Sequence, residues 1–328
     1  MEFLLIVLIV LALIFDFLNG VNDSSNIVAT IISSRALSPR LAMILTAIAE
    51  FCGPFLFGVA VAKTIGSEIV APELMTLPVL LAALTGAILW NLITRYLGIP
   101  SSSSHALIGG LIGAVFAGVG GEFIKLAGVL KVFAALFLSP VLGLAAGFLF
   151  TRLVYFLGRS ATMKINRFFK NTQILTGMSL ALSHGANDAQ KTMGIITLGL
   201  VTTGYLNSFE VPLWVVTISA GAIALGTSIG SWKLIKTLGA KFFRIRPVHG
   251  FSTQVASAAV ILGAALLGGP VSTTQVVGST IMGVGAADRV NKVRWGVAGN
   301  IVMAWLLTIP TTGVLGGLLF YLFNMLNI

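Results

Sequence analysis

Apolar residues run in long blocks along this chain, separated by short polar or glycine-rich gaps. The blocks cover residues 3–32, 41–62, 77–97, 102–120, 126–151, 172–200, 211–232, 252–268, 271–286 and 297–327. A helix that crosses a membrane needs roughly 20 predominantly apolar residues. The pattern therefore predicts an all-α chain of ten embedded segments, five before a basic stretch at 152–170 and five after it. Some blocks are too long or too short for one plain span, and Pro140 and Pro310 each interrupt a block. Ten to twelve segments are expected, some of them broken or re-entrant. Residues 1–13 lack a basic leader and a small-residue cleavage site and run on into Phe15–Thr30, which reads as a retained first span.

Composition agrees with the pattern. Of the 328 residues, 57% are hydrophobic and 9% charged, and mean hydropathy is +1.01. A soluble domain carries about 25% charged residues, so a chain wetted on all sides is excluded, as is disorder. The single cysteine, Cys52, excludes a disulfide framework and a CxxC metal site. The net charge of +10 comes from lysines and arginines clustered between apolar blocks. It marks cytoplasmic loops, not a nucleic-acid surface.

The chain also repeats itself. Gly20-Val21-Asn22-Asp23 recurs as Gly185-Ala186-Asn187-Asp188, 165 residues on. Lys63-Thr64-Ile65-Gly66 recurs as Lys236-Thr237-Leu238-Gly239, at 173. Pro100 to Ser104 recurs as Pro270 to Thr274, and Pro140 to Gly143 as Pro310 to Gly313, both at 170. Four matches in one order divide the chain into a first repeat at 1–158, a basic cytoplasmic linker at 159–170 and a second repeat at 171–328. Basic loops should lie inside: Arg35 and Arg40, 152–170, 233–246, and Arg289 to Arg294. Loops with Glu68 and Glu73, and with Glu210, should lie outside. Equivalent loops then fall on opposite sides, so the repeats are inverted and both termini are outside. Inverted repeats around a polar midplane site are an architecture of secondary transporters.

Two pairs of motifs carry chemistry. Asn22-Asp23-Ser24-Ser25-Asn26 and its twin Asn187-Asp188-Ala189-Gln190-Lys191 lie inside apolar blocks. A carboxylate at membrane depth costs about 2.5–3.5 kcal/mol and needs a partner. Gly20 and Gly185 would permit a broken helix with free carbonyls, and carboxylate, amide and carbonyl oxygens suit a hard cation. Gly98-Ile99-Pro100-Ser101-Ser102-Ser103-Ser104-His105 pairs with Gly269-Pro270-Val271-Ser272-Thr273-Thr274-Gln275. Proline followed by serine and threonine favours a helix start, where free N–H groups and hydroxyls can hold an anion. No arginine lies in either motif, so recognition would rest on neutral donors and bound cations.

With both motif pairs in view, the chain resembles the inorganic phosphate transporter (PiT) family from Phe15 to about Gly317. Ser183 to Gly194 is similar to the second family signature. The first copy is looser, with Val21 where alanine is usual and Ser101 where valine is usual. The resemblance implies cation-coupled symport of inorganic phosphate without a cofactor. It implies a phosphate site at Ser102, Ser103, Ser104, Gln190, Ser272, Thr273 and Thr274. It places Asn22, Asp23, Asn26, Asn187 and Asp188 at the ion sites. Sodium is the expected metal ion, on two symmetric sites built on Asn22 with Asp23 and on Asn187 with Asp188. The alternatives are a proton-coupled phosphate or sulfate symporter and a passive anion channel. HExxH and Walker A sequences are missing, which argues against an enzyme.

Glu50, in mid-block, is a candidate gating or ion residue; Lys191 is a paired lysine or a counter-charge to phosphate. His105 and His184 read as helix-packing donors. Expected partners are phosphate, sodium and membrane lipid, with a homodimer as the candidate assembly, no nucleic acid, and the cell membrane as the location.

Overall fold

The computed structural model describes residues 2–99, 101–162, 164–230 and 245–326. Pro100, Trp232, Lys233, the second Lys-Thr-x-Gly match at Lys236, Lys241 and Arg244 lie outside the described residues. Among the described residues, ten long helices follow in order: α1 Glu2–Ser33, α2 Pro39–Phe57, α3 Leu77–Leu97, α4 Ser103–Gly118 and α5 Leu126–Leu157 in the first half. The second half has α6 Ile165–Thr202, α7 Leu213–Ile229, α8 Pro247–Leu266, α9 Thr273–Asp288 and α10 Trp295–Met325. After α2 the chain breaks at Gly58 and resumes as a short turn, Ala60–Lys63. Among the described residues, β-pairing is limited to one bridge between Val70 and Ile124.

Among the described residues, six helices are long and apolar enough to cross a membrane: α1, α2, α3, α5, α8 and Val302–Met325 of α10. Helices α4 and α9 have 16 residues each. At 1.5 Å per residue they reach about 24 Å, short of a hydrocarbon core of about 30 Å. Neither crosses it alone, and each starts at one of the two Ser/Thr motifs. The outer faces are apolar: Phe3, Ile6, Val10 and Ile14 stand exposed one turn apart along α1. Lipid tails match such a face. The buried core joins α1, α3 and α4 (Leu8, Phe15, Leu80, Leu84, Leu107) to Met193 and Ile196 of α6.

The halves pack by exchange. Helix α1 lies on α7, and α6 on α2; α4 lies on α10, and α9 on α5. Glycines set the closest crossings. A Cβ added at Gly20 would sit 2.1 Å from the Ile223 carbonyl oxygen, and one at Gly185 2.1 Å from that of Glu50. Glycines of the facing helices answer them: Gly226 against Phe17 at 2.1 Å and Gly53 against Leu182 at 2.4 Å.

Two sequence expectations need correction. Gly20 and Gly185 do not break their helices, since α1 and α6 run unbroken through both motifs; the missing Cβ serves helix contact instead. Irregular backbone lies before α4 and α9. Pro140 and Pro310 do not interrupt α5 and α10 either. Proline leaves the carbonyl four residues back without its helical donor. The Ser139 hydroxyl donates to that carbonyl, Leu136, at 3.3 Å. In α10, the hydroxyls of Thr311 and Thr312 donate to the Leu307 and Thr308 carbonyls, next to the Leu306 carbonyl that Pro310 deprives of its helical donor.

Candidate functional site

The short helices open as the motifs predict. Ser102 caps α4 by accepting from the His105 N–H at 3.2 Å, and Ser272 caps α9 by accepting from the Gln275 N–H at 3.3 Å. Ser103, Ser104, Thr273 and Thr274 form the first turns and are buried. Unpaired N–H groups and the positive end of each helix dipole lie there.

The Asn–Asp motifs of α1 and α6 meet these helix starts. Thr274 donates to Asp23 Oδ1 at 2.6 Å. Thr273 lies between the two aspartates, 2.8 Å from Asp188 Oδ2 and 3.4 Å from Asp23 Oδ2. Asn26 Nδ2 donates to Asp23 Oδ1 at 2.8 Å and to Thr274 at 3.1 Å. Asn187 Nδ2 donates to the Gly269 carbonyl at 3.1 Å. The side-chain oxygens of Asn22, Asn26 and Asn187 are buried with no hydrogen-bond donor in reach. Three such acceptors beside two aspartates suit a cation.

The charge balance says the same. Asp16, Asp23, Glu50 and Asp188 are all buried, and Lys191 and His184 are buried with them. His184 Nδ1 lies 2.6 Å from Glu50 Oε1, while Nε2 lies 3.1 Å from Asp188 and 3.7 Å from Asp23. Lys191 Nζ is ion-paired with Asp188 and donates to Ser104 at 2.5 Å and to the Val271 carbonyl at 3.0 Å. Asp23, His184 and Asp188 lie close enough to share one metal ion.

Glu50 therefore joins the cluster through His184. Gln190 does not. Its carbonyl oxygen accepts from the Val61 and Ala62 N–H groups at 2.8 and 3.2 Å, and its amide donates to the Gly58 and Ala186 carbonyls at 2.7 and 2.5 Å. Those bonds hold the break after α2 and leave no proton for phosphate. The twin symmetry of the ion sites is also imperfect, because the Asp188 carboxylate is already paired with Lys191. His184 is more than a packing donor, since it ties three carboxylates together.

Sequence reasoning missed two groups. Asn19 Oδ1 accepts from Ser103 at 2.5 Å; it precedes Gly20 and stands 165 residues before His184, which was the available signal. Arg95, three residues before Gly98, lines a cavity with Asn22, Asp23, Asn26, Ser101 and Thr274. A guanidinium near the Ser/Thr motif was not expected, since the motif itself holds none.

A family model described as the phosphate transporter family matches residues 19–316. The chain belongs to this family. It is a transporter and not an enzyme. Two relatives are each named a probable low-affinity inorganic phosphate transporter. The one from Bacillus subtilis (strain 168) is 44% identical, over 98% of this chain and 98% of its own. The one from Rhizobium meliloti (strain 1021) is 45% identical, over 97% and 96%. A solved structure titled "The sodium-dependent phosphate transporter" aligns with a TM-score of 0.88 at 26% identity, covering 98% of this chain and 99% of that one.

Proposed function

We propose that the chain carries inorganic phosphate by sodium-coupled symport, through alternating access between two inverted repeats, 1–158 and 171–328. In this reading 159–170 faces the cytoplasm, both termini lie outside and the protein resides in the cell membrane. Phosphate binds at the starts of α4 and α9, against Ser103, Ser104, Thr273 and Thr274. Sodium binds at Asp23 with Asn22 and Asn26, and the Asn187–Asp188 motif supplies the second cation site.

One observation carries the coupling: the hydroxyls of Thr273 and Thr274 are donated to the aspartates. A hydroxyl has one proton, so it cannot serve carboxylate and phosphate together. A sodium ion on Asp23 takes over that carboxylate, frees the Thr274 hydroxyl and cancels the repulsion between aspartate and phosphate. Each ligand then strengthens the other by the same factor, as linkage requires.

A second reading, proton coupling, is favoured by His184 seated between Glu50 and Asp188, since a histidine bridging carboxylates can pass a proton. Uptake of radiolabelled phosphate into proteoliposomes, with sodium and pH gradients imposed separately and sulfate as competitor, decides between them. A sodium gradient alone should drive uptake, and Asp23→Asn should abolish it. Uptake driven by a pH gradient without sodium would refute the sodium reading.

A further inference from the structure

The offset that relates Asp23 to Asp188 also relates Asn26 to Lys191. At an offset of 170, Ser104 corresponds to Thr274 and Ser101 to Val271. These residues build two matching sets, each drawing on both halves. In the first, Asp23 of α1 meets Thr274 of α9 at 2.6 Å, and Ser101 lines the same cavity as Asn22 and Asn26. In the second, Asp188 of α6, Ser104 of α4 and the Val271 carbonyl all meet at one atom, Lys191 Nζ.

An ammonium has three protons and no acceptor. All three are placed on oxygens: a carboxylate, a hydroxyl and a peptide carbonyl. Those are the ligand types of a hard cation. The side chain is 1% exposed. In the first set the corresponding residue is the neutral Asn26, and the oxygens of Asn26 and Asn22 have no donor. Arg95 lines that cavity, but among the described residues no ion pair within 4.0 Å joins it to Asp23.

We infer that Lys191 Nζ is a tethered cation standing where a second mobile coupling cation would bind, so that only the Asp23 set takes a mobile monovalent cation. The inference rests on the reading of cation-coupled phosphate symport and refines its second ion site. Its consequence is stoichiometric. The chain moves one cation fewer per phosphate than one with an amide at both positions, and the charge moved per cycle falls by one. Lys191 also cannot hold phosphate directly without releasing one of its three oxygen partners.

Parallel flux of radiolabelled sodium and phosphate in proteoliposomes tests this. Lys191→Asn gives the second set the residue of the first. It should raise the sodium-to-phosphate ratio by about one and steepen the sodium dependence of uptake. A Lys191→Asn protein that carries phosphate at the wild-type ratio overturns the inference. Should that variant fail to fold, equilibrium binding of radiolabelled sodium to the wild-type protein decides: one ion per chain supports the inference and two overturn it. If wild-type uptake ignores sodium and follows pH, the sodium reading falls separately. Sodium dependence newly acquired by Lys191→Asn then supports the tethered cation, and its failure to appear refutes it.

Discussion

Gly185→Ala adds one methyl group where α2 and α6 cross. The new Cβ would lie 2.1 Å from the Glu50 oxygen and 2.8 Å from its carbonyl carbon. Real Cβ atoms essentially never come within 3.0 Å of a neighbour, and both atoms are backbone, so no rotamer change relieves the clash. The helices must part by about 1 Å, and overpacking of this kind typically costs about 1–3 kcal/mol. Alanine is also a better helix former than glycine, by about 1 kcal/mol, which offsets part of the loss. Gly221 in α7 supplies the control, since a Cβ there meets nothing within 4 Å; Gly221→Ala should keep only the helix gain. Thermal unfolding in detergent should thus place Gly185→Ala several degrees below Gly221→Ala. Uptake should fall more than stability, because Glu50 sits at the crossing and its 2.6 Å contact with His184 would stretch. If Gly185→Ala melts with or above Gly221→Ala and carries phosphate normally, the crossing is not as close as described and the account of the glycines fails.

Gln190→Ala should lower thermal stability, because the Val61 N–H and Gly58 carbonyl lose their partners and each buried unsatisfied group costs about 1–3 kcal/mol; normal melting with weakened phosphate binding would instead return Gln190 to the substrate site. Thr273→Ala should weaken phosphate binding about tenfold or more, as expected for losing a hydrogen bond to a charged group at about 1.5–3 kcal/mol, and unchanged affinity would remove it from that site. With Cys52 replaced, Lys164→Cys should react only from the cytoplasmic side and Glu210→Cys only from outside; either reversed would overturn the proposed orientation.

The helices were legible because lipid-facing and core-facing residues are both apolar, so block length alone reports them: 77–97 coincides with α3. The role of Gly20 and Gly185 was not. A helix break and a close crossing both call for glycine, one for its backbone freedom and one for its missing side chain. Only the partner helix tells them apart, and it lies far away in sequence. The direction in which Gln190 points was legible. On a helix, residues two apart point to different sides, while those three or four apart share a face. Gln190 is two residues from Asp188 and faces the α2 break. His184 and Lys191, four before and three after, face the carboxylate. Arg95 was beyond motif reasoning, because its approach to Asn22 depends on how α3 packs beside α1.

The same helical spacing accounts for the asymmetry at the centre. Around Asp23, the positions four before and three after hold Asn19 and Asn26; around Asp188 they hold His184 and Lys191. One carboxylate is thus flanked by neutral amides and the other by two basic groups, on a fold that otherwise repeats its crossings. A buried carboxylate left without a cation is costly at membrane depth, and the amide-flanked Asp23 has His184 as a basic neighbour only at 3.7 Å, farther than the 3.1 Å between His184 and Asp188. The base-flanked site carries its relief within the chain. In the proposed reading, the demand for a mobile cation lies on the Asp23 side of the pseudo-symmetric centre. Thr274, which donates to Asp23 at 2.6 Å, is in the proposed reading the group through which filling that demand is felt by the anion.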